Sequence, residues 1–167
     1  MLEWRGSGEI MSNFDKNRFA SNSIEYETPM NLFIPLNEEF NFTLDVCCTS
    51  ENTKVKNKFY TLNENGLIQN WKNEICWMNP PYGREMIAWL NKAKKESEDN
   101  NAIVVSLIPA RTNTKWWGDI CLKSSEIRFV QGRPKFNNGK HGLPFPLAIV
   151  IFEPLKHDIK IGVYKYK

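Results

Sequence analysis

The apolar residues fall into short blocks whose period changes along the chain. Residues 1–27 show no period at all; they are polar, with Gly6, Gly8 and several Asn and Ser, and read as a loose leader. Thr28-Pro29 then opens a helical pattern, MNLFIPLNEEF, with Pro in the first turn and Thr28 as the expected cap. Pro35 sits inside that pattern and predicts a short or broken helix. Phe40–Val46 alternates apolar and polar residues (FNFTLDV), as a half-buried strand does, and a second short strand is expected over Ile75–Met78. From Arg84 to Ser97 the residues Met86, Ile87, Trp89, Leu90 and Ala93 recur at helical spacing, and Asp99-Asn100-Asn101 ends that helix. Ala102–Ile108 is a nearly unbroken apolar run, expected of a strand buried on both faces of a parallel sheet. Thr112-Asn113-Thr114 is placed to cap a helix carrying Trp116, Trp117, Ile120, Cys121 and Leu122, and Glu126–Val130 and Pro146–Phe152 read as two more strands.

Strands alternating with helices of these lengths predict an α/β fold built on one open, mostly parallel sheet, with an antiparallel strand pair toward the C-terminal end. A chain of 167 residues fits one such domain, expected over 28–167. Hydrophobic residues at 41% and charged residues at 25% argue against disorder and rod-like repeats. No apolar run approaches the roughly 18 residues that span a bilayer, so no membrane association is expected. The N-terminus lacks the apolar core of a secretory signal, and the cytoplasm is the expected location. Cys47, Cys48, Cys76 and Cys121 form neither a paired CxxC knuckle nor a dense disulfide framework, and His141 and His157 lie in unrelated segments. All four thiols are therefore read as reduced, with no metal site.

Charge changes this picture. The net +3 hides a division: residues 1–78 hold seven basic and eleven acidic side chains, whereas 79–167 hold fifteen and eight. Within 111–140, Arg111, Lys115, Lys123, Arg128, Arg133, Lys135 and Lys140 face only Asp119 and Glu126, enough to steer a polyanion. A solvated basic surface with no ligand is the simpler reading of charge alone.

Chemistry concentrates where ligands bind in open α/β sheets, beyond the carboxyl ends of the strands. Asp45 follows the first strand, Asn79-Pro80-Pro81-Tyr82-Gly83 the second, and PARTNT the third. Two consecutive prolines stiffen the backbone and remove two N–H donors, so this loop presents carbonyl acceptors. Asn79 adds a side-chain carbonyl and Tyr82 a flat ring. A planar group bearing two N–H bonds suits such a mouth: the exocyclic amine of a base, or a carboxamide. The competing reading is an ordinary Asn-Pro turn with a packed Tyr.

WMNPPYG resembles the catalytic motif of S-adenosylmethionine-dependent amino-methyltransferases, which methylate adenine, cytosine or glutamine amines. PARTNTKWW (109–117), EIRFVQGRPKF (126–136) and FPLAIVIF (145–152) are similar to the small phage-type DNA N-6-adenine methyltransferase family, and the resemblance runs from about Thr28 to Phe152. It implies a single-domain, Rossmann-like methyltransferase fold and methyl transfer from S-adenosylmethionine to the N6 amine of adenine in double-stranded DNA. Under it, Asn79 and the Pro80 carbonyl accept the amine protons within the Asn79-Pro80-Pro81-Tyr82 motif, and Tyr82 stacks on the flipped base. Thr28, Pro29, Asp45, Asn70 and Asn79 fall to the cofactor. The chain departs from the pattern twice. The turn after the first strand has no glycine, and Asn70 stands where the family has Asp.

With that reading, Arg111, Lys115, Arg133 and Lys135 are assigned to DNA, and the loops around 52–74 and 131–144 to reading its sequence. The alternative for Arg111 is a salt bridge to Asp119 or Glu126; Trp71, Trp77, Trp89, Trp116 and Trp117 are assigned to the core. Two rivals stay open: another NPPY amino-methyltransferase, acting on cytosine, RNA or a protein glutamine, and a phage DNA-binding relative with little or no turnover. Target sequence and oligomeric state, monomer or homodimer, are not legible.

Overall fold

The computed structural model describes residues 26–136, 142–154 and 158–166. Residues 1–25 of the expected leader, the tip of the basic loop at 137–141 and both histidines lie outside the described residues.

Helix α1 (Met30–Phe40) runs through Pro35 unbroken, because Leu32, Phe33 and Leu36 are buried on both sides of the proline and hold the helix against the sheet. Thr28 does not cap it. Pro29 takes the cap position and no side chain bonds the first turn. The helix also claims Phe40, which the alternating pattern gives to a strand: Asn41 adopts the left-handed conformation (φ 55°) and its N–H bonds the Asn37 carbonyl, which closes the helix. Strand β1 is thereby shortened to Leu44–Asp45.

Strands β2 (Ile75–Met78) and β3 (Ile103–Pro109) lie parallel beside β1, and helix α2 (Met86–Asn100) connects β2 to β3. Helix α3 (Lys115–Asp119) follows; Thr114 makes no cap bond there, its hydroxyl donating instead to the Arg111 carbonyl at 2.7 Å. Strands β4 (Glu126–Val130), β5 (Leu147–Phe152) and β6 (Lys160–Tyr164) complete one six-stranded sheet of order β1-β2-β3-β5-β4-β6. Strand β5 is antiparallel to β3 and β4, and β6 is parallel to β4. Every strand except β5 therefore points the same way, in keeping with a Rossmann-like methyltransferase fold. Edge strand β6 lies beyond the last predicted element.

Each face of the sheet carries its own apolar cluster. α2 and α3 cover one, with Trp71, Met78, Leu90, Val104 and Ile108; α1 covers the other, with Phe33, Trp77, Val105 and Ile149. The Tyr164 hydroxyl donates to the Leu32 carbonyl at 2.8 Å, and Arg128 pairs bidentately with Glu39, so α1 is tied to the far half of the sheet. No α-helix links β1 to β2. Residues 46–74 instead wrap the end of β1 as a loop, with one 3-10 turn at Gly66–Ile68 and a parallel bridge from Asp45 to Phe59. Among the described residues no helix is long and apolar enough to cross a membrane.

Candidate active site

Because β1 and β2 end at the same edge, the segments that follow them face each other and leave a cleft of about 610 Å³. Its walls are the N-terminal segment 26–28, the turn after β1, the loop 61–67 and the NPPYG stretch after β2. Thr28, Asp45, Asn79, Pro80, Pro81 and Tyr82, all expected from the sequence, line it together.

Asp45 is buried, 2% exposed, at the last position of β1. Its Oδ2 accepts the Lys54 N–H at 2.9 Å and the Thr53 hydroxyl at 3.4 Å. Burial raises its pKa, and hydrogen bonds from Lys54, Cys47, Thr53 and Cys48 offset that only in part. Cys47 and Cys48 follow in the same turn; burial raises both thiols, Cys48 to about 12, so they remain protonated and unreactive.

A glycine in the neighbouring loop is required by packing against that turn. A Cβ on Gly66 would lie 2.1 Å from the Val46 carbonyl oxygen, so only glycine lets the loop lie against the end of β1. The Gly66 carbonyl accepts the Trp71 indole N–H at 3.0 Å, which fixes this wall to the core.

Asn79 is held by residues far away in the chain. Its Nδ2 donates to the Tyr26 carbonyl at 2.7 Å and to the Thr28 hydroxyl at 3.1 Å. Its Oδ1 is buried and without a hydrogen-bond partner among the described residues. The Pro81 carbonyl accepts the Gly83 N–H at 3.0 Å, whereas the Pro80 carbonyl has no partner among the described residues. The motif thus carries two unused acceptors on adjacent residues. Beside them the Tyr82 ring stacks on Tyr26 (centroids 5.4 Å) and meets the edge of Phe145 (6.0 Å). Burial pushes the Tyr82 phenol upward, so it stays neutral, and its hydroxyl too is unpartnered among the described residues.

The model of the DNA N-6-adenine-methyltransferase (Dam) family matches residues 17–166. The chain belongs to this family. It is 34% identical over 138 residues to the DNA N-6-adenine-methyltransferase of Haemophilus phage HP1 (strain HP1c1), across 77% of this chain and 78% of that protein. It is also 37% identical over 91 residues to the DNA N-6-adenine-methyltransferase of Escherichia phage T1, across 54% of this chain and 37% of that longer protein. Membership in the DNA N-6-adenine-methyltransferase family implies a methyl donor.

Other expected site residues of this methyltransferase stand apart from the cleft. Pro29 caps α1 and is not among the lining residues. Asn70 is exposed outside the cleft, its Oδ1 accepting the N–H of Lys72 at 2.7 Å within its own turn. Asn65 lines the cleft instead, its side chain accepting from the N–H of Leu67. Arg111 and Lys115 are exposed just past the end of β3, and Arg133 and Lys135 just past the end of β4. Since β3 and β4 point the same way as β2, all four lie off the edge that carries Asn79. Phe136, buried against Tyr26 (6.0 Å), ties the segment bearing Arg133 and Lys135 to the aromatic group. Arg111 has no carboxylate partner among the described residues; Glu126 pairs with Arg128 instead. The tryptophans expected in the core lie there, with Trp116 half-buried beside Trp117.

The sequence pattern does not mark Tyr26, Glu27 or Gly66 as site residues. Tyr26 and Glu27 fall in the stretch that reads as leader, and the Glu27–Lys54 ion pair (2.8 Å) ties that stretch to the loop after β1. The one sequence signal for Gly66 is an isolated glycine between Asn and Leu in a loop.

Proposed function

We propose that the protein is a phage-encoded enzyme of the host cytoplasm that methylates the N6 amine of adenine in double-stranded DNA, with S-adenosylmethionine as methyl donor. The observation that carries this reading is the pair of unused acceptors, Asn79 Oδ1 and the Pro80 carbonyl, beside the Tyr82 ring. An exocyclic amine has two N–H bonds for two acceptors.

The cleft suits the donor chemically. It holds a buried carboxyl group at Asp45 for a cationic group, in a cleft that the 26–28 segment also lines. When bound, S-adenosylmethionine supplies an electrophilic methyl group on a positively charged sulfur. Asp45 and the 26–28 segment would hold the polar end of the donor, with the loop 61–67 as a further wall of the cleft. Asn79 and Pro80 would hold the amine by its two N–H bonds, with its lone pair turned out of the ring plane. They also stabilise the positive charge that develops on the nitrogen. No strong base is required, because the amine becomes acidic as it is alkylated. Tyr82 stacks on the extruded base and offsets the cost of unpairing, a few kcal/mol. Arg111, Lys115, Arg133 and Lys135 hold the phosphates around it.

Reading modified bases in plasmid from cells that express the protein tests this directly. N6-methyladenine in a defined sequence context is expected. A folded, expressed protein that leaves adenine unmodified overturns it, and modified cytosine would move the activity to a different amine.

A further inference from the structure

The two prolines after Asn79 fix its backbone, but they leave its side-chain torsions soft. An amide free to rotate offers a target amine either a carbonyl or an NH2 group, and the NH2 group repels it. The orientation must therefore be set by partners. Tyr26 contributes a main-chain carbonyl, which can only accept, so only the Nδ2 end of Asn79 can face it at 2.7 Å. Thr28 Oγ1 accepts the second bond at 3.1 Å. Thr28 is 2% exposed and makes no helix cap, so its hydroxyl has no part in starting α1. Glu27, between them, is anchored to Lys54 at 2.8 Å, which keeps the segment in place.

We propose that Thr28 is a positioning residue: its hydroxyl oxygen, together with the Tyr26 carbonyl, captures both amide protons of Asn79 and leaves Oδ1 as the acceptor for the target amine. This rests on the reading of Asn79 as the residue that holds that amine. The role is separate from any contact of Thr28 with the methyl donor, since it acts through Asn79 and is complete in the protein alone.

Two measurements test it. In the ligand-free protein, hydrogen exchange of the Asn79 side-chain amide, identified by its loss in Asn79→Ala, reports both bonds. Both protons are expected to exchange at least about tenfold more slowly than those of exposed asparagines. In Thr28→Val one is expected to lose that protection, and in Thr28→Ser to regain it. In methyl transfer at saturating S-adenosylmethionine and DNA, Thr28→Val is expected to lower kcat by about tenfold or more, and Thr28→Ser to restore most of the loss. Unprotected amide protons in the wild type, or protection unchanged in Thr28→Val, would overturn the proposal. So would a Thr28→Val effect confined to the donor KM. Protection without any methylation of adenine would sink the functional reading and leave the positioning role standing.

Discussion

Tyr26 lies against Tyr82 with ring centroids 5.4 Å apart and planes 27° from parallel. Aromatic rings in this offset arrangement attract each other, and a nucleobase on Tyr82 would use the same surface. Tyr26 thus covers one face of the Tyr82 ring, on which the proposed reading stacks the target base, while its carbonyl holds Asn79. Tyr26→Ala removes the ring and keeps the carbonyl. The expected result in steady-state kinetics is a lower KM for DNA with kcat retained, because the base no longer displaces a side chain. A fall in kcat would instead assign the Tyr26 ring to holding the base.

Burial works against the charge of Asp45. Its folded pKa is raised by burial, so its charge opposes folding wherever it is ionised, and the penalty fades as pH falls through the folded value toward 3.8. Asp45→Asn removes that charge and retains an acceptor for the Lys54 N–H. The variant should therefore melt higher than the wild type at pH 7, with the difference closing near pH 4, and should bind S-adenosylmethionine at least about tenfold more weakly. Calorimetric melting across pH, with a binding titration, checks both; equal or lower Tm at pH 7 contradicts the account.

Gly66→Ala puts a methyl group 2.1 Å from the Val46 carbonyl oxygen, a main-chain atom at the end of β1 that cannot swing aside. Overpacking of this kind costs about 1–3 kcal/mol, and Tm falls by about 2–4 °C per kcal/mol in a domain of this size. Because the displaced loop is a wall of the cleft, donor affinity should fall with Tm. Unchanged values of both would show that the loop does not lie against the end of β1.

Arg111 and Lys115 are exposed, and Arg111 has no acidic partner among the described residues, so alanine at either should leave stability within about 0.5 kcal/mol. DNA binding should weaken, and the slope of log K against log salt should become shallower by about 0.9 for each phosphate that is no longer neutralised. A changed sequence preference with an unchanged slope would move the residue from the phosphates to the base edges.

The site's centre is legible where local rules decide it. Ile75–Met78 is a buried strand whose end delivers NPPYG, and the apolar run that becomes β3 can only be an interior strand. The rest depends on partners that a local pattern does not contain. Thr28 looks like a helix cap until Asn79, 51 residues away, takes its oxygen. The FNFTLDV alternation reads as a strand until Asn41 turns left-handed and gives Phe40 to the helix. Strand β6 exposes Ile161 and Val163, so its alternation does not mark an inward face. Tyr26 and Gly66 are site residues only because a carbonyl and a missing Cβ matter there, and neither leaves a side-chain signature.

The central claim is that Asn79 presents its Oδ1 to the adenine amine. Tritium transfer from labelled S-adenosylmethionine to double-stranded DNA, followed by nucleoside analysis, measures it most directly for the wild type and Asn79→Ala. The account predicts label in N6-methyldeoxyadenosine for the wild type and none for a folded Asn79→Ala. Label in another acceptor, or undiminished transfer by Asn79→Ala, would contradict it.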